Sequence, residues 1–533
     1  MSKLQFQRLF DLPYYQLEKF PQAQSLAAKH IKGHFYSYST RQFVDLVNQV
    51  SLGLLQIGLK KGDKIATITY NNRPEWNILD LGMQQIGVIN VPVYPTISPK
   101  DYVYIFNEAQ VKYCFLGHGD LLDKVKTAQS QLPNLQAIFS FDKIEPQVDA
   151  NGNEVHFWEH IFAEGDLAQV NQIKETIKGD DLATIIYTSG TTGNPKGVML
   201  SHNNLLTNIR DVYSILPIQA GEIGLSFLPI CHIFERTVTY AYMSKGINIV
   251  YPPSIETLSE SLQEFRPHFF TTVPRLLEKV YEKVITNVRK EGGLKLKIFN
   301  WAEGLTDDFE FDKEYGFLDN LKRKAADKLV FSKIRARLGG RLRGIVTGAA
   351  ACPKKIAQFF SAIGIPICEG YGLTETSPAI AINHFQPFSA LLGTVGPILP
   401  SVQVKIDTTD GGYKENEGEI LVKGGNVMLG YYQQPEKTAE VFDADGWFKT
   451  GDIGKLVKNK KGVNFLQITD RKKELLKTSG GKYVAPAPIE ARLKSDFMLE
   501  QAMIIGDNQK FVSAIITPSF EVLQNWAKEQ NIN

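Results

Sequence analysis

Up to residue 372 of this chain, short β-branched runs alternate with longer amphipathic stretches, and no other feature narrows its fold as much. The runs are KIATITY (64–70), VINVPVY (88–94), ATIIYTS (183–189), INIVYPP (247–253), HFFTTVP (268–274), RGIVTG (343–348) and IPICEGYG (365–372). Near-continuous apolar runs joined through helical patterns predict parallel sheets covered by helices. Between the runs at 268–274 and 343–348 lies a long helical stretch rich in Lys and Arg, and Gly339 and Gly340 are placed to end its last helix. Beyond about residue 385 the texture changes to glycine-punctuated strands such as GEILVKGG and NFLQITD, as in a small barrel or antiparallel sheet. Hydrophobic cores stop growing near about 250–300 residues, so a 533-residue chain divides into two or more units.

Bulk properties exclude several classes. The 59 Lys and Arg nearly balance 57 Asp and Glu, so no global field favours nucleic acid. Cys114, Cys231, Cys352 and Cys368 form neither a CxxC pair nor a compact disulfide framework, which fits a reducing, cytoplasmic setting. The N-terminal MSKLQFQRLFDLPYYQLEKF has charges among its apolar residues and lacks a small-residue cleavage site, unlike a signal peptide. No run is apolar enough for a membrane span. Peripheral membrane association and a homodimer are compatible with this composition.

The sharpest motif is YTSGTTGNPKGV, from Tyr187 to Val198. A strand runs into a loop holding Thr188, Ser189, Gly190, Thr191, Thr192 and Gly193, followed by one lysine, Lys196. Such a loop can cradle a polyphosphate: glycines admit close backbone approach, N–H groups and hydroxyls donate hydrogen bonds, and the lysine supplies charge. A surface turn would use the same residue types. It is not a Walker A loop, because Pro195 stands at the second glycine and Gly197 at the Ser/Thr position.

This loop resembles the phosphate-binding signature of the adenylate-forming (AMP-binding) superfamily, and further segments resemble that family's motifs in order along the whole chain. FLPICH, ending at His232, is similar to an element that shapes the carboxylate site. Gly348, Ala349 and Ala350 resemble the lining of the adenine pocket, and EGYGLTET (369–376) resembles a nucleotide-binding element containing Gly370, Tyr371, Gly372, Thr374 and Glu375. The resemblance implies that Tyr371 stacks on adenine, Thr374 reaches the α-phosphate, and Glu375 with the Thr191 hydroxyl holds Mg²⁺, a hard cation that prefers oxygen ligands. DGWFKTGD places Asp452 as the carboxylate for the ribose hydroxyls, and DRKKE places Arg471 at ribose or phosphate with Lys473 as hinge. Taken alone, His232 reads as a structural histidine and DRKKE as a solvated charge run; their joint occurrence with the other motifs carries the functional reading.

DGWFKTGDIG followed by ITDRKKELLKTSGGKYVAP resembles fatty acyl-CoA synthetases, and the basic helical stretch at roughly 280–340 resembles their long-chain branch. The implied activity is an AMP-forming ligase using fatty acid, ATP, CoA and Mg²⁺, with Lys196, His232, Thr374 and Glu375 at the chemistry. A broad apolar tunnel is expected beside the helical stretch, since each buried CH₂ contributes about 0.8 kcal/mol. The expected fold is α/β: a large N-terminal domain (1–469) of parallel-sheet subdomains with a small barrel-like subdomain, then a small α+β domain (470–533) after the hinge. Relatives carry a lysine in a PxTxxGKxxR-like context near their C-terminus and this chain has none, so the small domain is expected to be incomplete. A fatty acyl-AMP ligase, another adenylating enzyme, and a non-catalytic nucleotide-binding protein are the alternatives.

Overall fold

The structure, a computed structural model, describes residues 6–30, 33–188, 194–409, 413, 416–472, 474–477, 479, 483–494, 498–507 and 509–530. All seven apolar runs become strands, and they divide between two eight-stranded sheets. The first sheet runs, edge to edge, through Ala379–Ile382, Ile367–Gly372, Gly344–Thr347, Phe269–Thr272, Ile223–Leu225, Asn248–Tyr251, Leu26–Lys29 and Phe35–Tyr38. The second runs through Gly430–Tyr431, Lys196–Ser201, Leu182–Thr188, Ile89–Val93, Lys64–Ile68, Val111–Leu116, Ala137–Ser140 and His156–Phe157. Both are parallel in their middles and turn antiparallel at the edges that carry Tyr371 and Lys196.

Period-2 alternation sorts these strands between layers. In the first sheet Ile249, Tyr251, Phe269, Val346 and Cys368 enter a core that also takes Ile65, Phe115, Ala183 and Ile186 of the second. Their neighbours Val250, Phe270, Ile345 and Ile367 face the opposite way, into a core shared with the helices Pro274–Glu291 and Lys354–Ala362. On the outer face of the second sheet, Ala66, Cys114 and Ile185 meet Tyr102, Phe106 and Leu121 of two further helices. The helix Pro74–Gln85 is buried at every residue in the central layer. Both faces of each sheet are therefore covered, which explains why the strands read as continuous apolar runs.

A smaller antiparallel sheet of Val402–Asp407, Gly418–Gly424, Phe448–Lys458 and Asn464–Arg471 follows, packed through Val402, Ile420, Val422 and Leu466 onto Ile380 and Ala381. The last segment has helix Pro486–Lys494, the antiparallel pair Leu499–Ile505 and Ser513–Pro518, and helix Phe520–Glu529, an α+β arrangement. Gly339 and Gly340 do end the basic helical stretch, with φ of 91° and 73° after helix Ser332–Arg337. All four cysteines are buried and free. Among the described residues no helix is long and apolar enough to cross a membrane.

Candidate active site

The predicted segments converge at the antiparallel edges of the two sheets. Lys196 opens its strand opposite Thr188, so the loop between them closes a hairpin; residues 189–193 within it lie outside the described residues. The strand ends at Ser201, which caps helix His202–Val212 by accepting from the Asn204 N–H at 3.2 Å while the Asn204 side chain accepts from the Ser201 N–H at 2.8 Å. One turn along that helix, Asn208 exchanges hydrogen bonds with both backbone groups of Ala379, at 3.1 and 2.6 Å. The helix following the Lys196 strand thus fastens the segment following EGYGLTET.

Two short chains of side chains meet there. In the first, the Lys196 ammonium lies over the Tyr431 ring, 4.7 Å from its centroid, and the Tyr431 hydroxyl donates to Glu375 Oε1 at 2.9 Å. Tyr431 is held by pairing with Val198, and the Met428 N–H donates to the Glu375 carbonyl at 2.8 Å. In the second, the Tyr371 hydroxyl donates to Asp452 Oδ2 at 2.6 Å, and Arg471, which pairs with Asp452 in the small sheet, brings Nε to 3.5 Å from Oδ1. Burial raises the carboxyl pKa of both Glu375 and Asp452. Lys196 opposes the rise at Glu375 and the Asp452 charge adds to it; at Asp452 the Tyr371 hydrogen bond and Arg471 oppose it. Carboxylates taken from water in this way favour a cation beside them.

Thr374 is buried in the 3₁₀ turn Thr374–Thr376, beside Glu375. Gly372 stands against the backbone of Pro378, where any side chain would collide. Gly348 shows why its segment needs a small residue: a Cβ there would stand 3.3 Å from the Gly370 carbonyl oxygen and 3.5 Å from the Phe234 ring. Ala349 and Ala350 follow it on the surface, Ala349 with a φ of 66°. His232 caps helix Ile233–Lys245, its Nδ1 accepting from the Phe234 N–H at 3.2 Å, and burial lowers its pKa. It reaches the other residues through Phe234. Lys473 lies outside the described residues.

Phe234 also lines a small apolar cavity, with Val238, Ala241, Phe269, Val346 and Ala379 among its other walls. The tunnel was expected beside the basic helical stretch, but no residue of 274–337 lines this cavity. The reason is strand alternation: Phe269 and Val346 point to the inner core, whereas the stretch packs on Phe270 and Ile345 of the outer face.

Two participants escaped the sequence reading. Tyr431 sits in GYYQQP, a segment with no motif spacing, and only strand pairing brings it to Lys196 and Glu375. Beyond His232, Arg236 forms an ion pair with Asp80 at 2.5 Å, both fully buried. Arg236 also donates to Thr184 Oγ1 at 2.7 Å and to the Tyr240 hydroxyl at 3.0 Å, while Asp80 accepts from Asn90 and Gln84 at 2.8 and 3.0 Å. The His232 helix is thereby tied to the strand Leu182–Thr188.

Comparison with known proteins places the chain in a family. The profile of the AMP-binding enzyme family matches residues 15–432, and that of the AMP-binding enzyme C-terminal domain matches 473–533. Long-chain-fatty-acid–CoA ligase FadD15 of Mycobacterium tuberculosis is 32% identical over 507 residues, covering 94% of this chain and 80% of that one. Long-chain-fatty-acid–CoA ligase 1 of Homo sapiens is 32% identical over 509 residues, covering 92% and 71%. Among solved structures, ATP-bound MatB from Rhodopseudomonas palustris superposes with a TM-score of 0.69 at 22% identity, covering 96% and 88% of the two chains. The A domain of a carboxylic acid reductase from Segniliparus rugosus, in complex with AMP and a co-purified carboxylic acid, gives 0.73 at 20% identity, covering 100% and 88%. These two structural matches speak for the fold.

Proposed function

The chain belongs to the AMP-binding enzyme family, and from that premise we propose that it is an AMP-forming long-chain fatty acid–CoA ligase. The reaction takes fatty acid, ATP and CoA to acyl-CoA, AMP and pyrophosphate through an acyl-adenylate. One observation supports the reading: the motif residues Lys196 and Glu375 are joined through Tyr431, and the motif residues Tyr371, Asp452 and Arg471 through a second chain of contacts that starts four residues before Glu375.

In this reading Asp452, oriented by Tyr371 and Arg471, accepts from the ribose hydroxyls, which a two-oxygen acceptor suits. Gly348, Ala349, Ala350, Gly370, Tyr371 and Gly372 bound the adenine. Lys196 and the hydroxyls of residues 188–192 take up charge on the phosphates as the carboxylate attacks the α-phosphorus, Thr374 donates to that phosphate, and no protein nucleophile is required. Glu375, a buried carboxylate that favours a neighbouring cation, would hold Mg²⁺ together with Thr191. When bound, the metal supplies charge neutralisation for the departing pyrophosphate. His232 fixes the start of the helix whose Phe234 separates the polar edge from the cavity, and the cavity takes the tail. For the thioester step, residues 470–533 turn about Lys473 as a second domain.

The test is to supply Mg²⁺-ATP with a long-chain fatty acid or acetate, and with CoA or an acyl-carrier protein, and to measure the thioester formed. Acyl-CoA from the long-chain acid, and far less from acetate, is expected. Acylation of the carrier alone would make the chain a fatty acyl-AMP ligase. ATP binding without pyrophosphate release would make it a non-catalytic nucleotide-binding protein.

A further inference from the structure

The helix Phe317–Ala326, within the basic stretch, is mounted with its apolar side toward solvent. Phe317, Leu318 and Leu321 are 82%, 69% and 58% exposed, and Leu329 on the next turn is 46% exposed. At about 100° per residue, Phe317, Leu321, Ala325 and Leu318 occupy one face, with Lys324 and Lys322 on its two flanks. The side turned to the protein holds Ala326 and Arg323. The Arg323 guanidinium lies 3.7 Å from the centroid of the Tyr315 ring and donates to Asp308. A helix of a water-soluble domain ordinarily turns its apolar stripe inward; this one anchors itself through its arginine and leaves three large apolar side chains outside. The cavity does not account for them, because the first sheet lies between.

Charge indicates the occupant. Residues 317–337 carry seven Lys and Arg against two Asp, whereas the whole chain is nearly balanced at +2. We infer that this helix docks the protein on an anionic lipid surface, its Phe317–Leu318–Leu321 face entering the acyl boundary and Lys322, Lys324 and Lys328 lying among the headgroups. Apolar side chains flanked by lysines are what such an interface accommodates. A second copy fits less well, because a two-fold contact through this face would bring two like-charged surfaces together. The inference is independent of the proposed reaction, since it concerns adsorption and not turnover.

Vesicle co-sedimentation of the full chain tests it, with phosphatidylcholine alone or with roughly one-third phosphatidylglycerol. The protein should pellet with the anionic vesicles and stay in solution with the zwitterionic ones. Phe317→Ser/Leu318→Ser/Leu321→Ser and, separately, Lys322→Glu/Lys324→Glu should each weaken partitioning by about tenfold or more, with melting temperatures unchanged because the residues are exposed. Failure of the native chain to pellet with anionic vesicles would overturn the inference, as would undiminished partitioning of the serine variant. A dimer in solution that the serine variant splits, with vesicle partitioning unaltered, would assign the face to a second copy instead.

Discussion

The Asp80–Arg236 pair and the grouping around Glu375 and Asp452 are built in opposite ways. Around Asp80 and Arg236 both charges are fully buried, and each is surrounded by partners: Thr184 and Tyr240 for the guanidinium, Asn90, Gln84 and Tyr240 for the carboxylate. Around Glu375 and Asp452 the carboxylates are buried, but the cations are more open: Lys196 rests on an aromatic face, and Arg471 is 64% exposed, 3.5 Å from Asp452 and 3.4 Å from Glu474. A closed network leaves nothing for a ligand to do and serves structure. An open one, with raised carboxyl pKa values and an exposed guanidinium, leaves room for something that arrives.

The strongest way to break this comparison is Arg236→Met. It leaves the Asp80 charge buried without its partner and should cost about 3–5 kcal/mol of stability, read by chemical denaturation. Adding Asp80→Asn should recover part of that loss; equal destabilisation of single and double variants would mean that the pair is not coupled. Lys196→Ala should behave in the reverse sense. Its removal forfeits a cation–π contact of about 1 kcal/mol or less, yet should slow pyrophosphate exchange by about 10²–10³-fold, comparable to losing one preorganised donor at a developing charge. A variant that melts early but exchanges normally would move Lys196 into the structural class.

A smaller effect sharpens the boundary between the two classes. Glu369, next to Gly370, is buried, with a hydrogen bond from the Cys352 N–H at 3.1 Å and, among the described residues, no cationic partner; desolvation pushes its pKa from 4.5 to about 7. Between those values the folded chain keeps a proton that the unfolded chain has released, so stability falls as pH rises through this window. Glu369→Gln should match the native protein near pH 5 and exceed it by roughly 2–3 kcal/mol at pH 8, measured by denaturation at both pH values. No difference at pH 8 would mean that the carboxylate ionises with partners beyond those described.

Much of the fold was legible before any coordinates. KIATITY, ATIIYTS and IPICEGYG read as covered parallel strands because residues buried on both faces must be apolar at every position. The site was legible as a set of motifs, and Lys196, Tyr371, Glu375, Asp452 and Arg471 do come together. Tyr431 was not legible, because its contribution is a strand pairing between residues far apart in the chain. Which sheet face carries the apolar cavity was not legible, because a run such as FFTT does not say which alternate side chain faces the helical stretch. Nor did FLDNLKRKAA reveal its inversion: an amphipathic pattern states that one face is apolar, not that this face is turned inward.

By itself the sequence determined the elements, their covered parallel character, the family's motifs and the glycines that end the basic stretch, since these depend on local patterning and on residue types with few alternatives. The tertiary structure alone decided which sheet each strand joined, which side of the first sheet took the cavity, how Asp80 found Arg236, and that Phe317, Leu318 and Leu321 face outward. Those outcomes are set by pairing and burial between residues distant in the chain, where many partners satisfy the same local pattern and only the packed whole selects one.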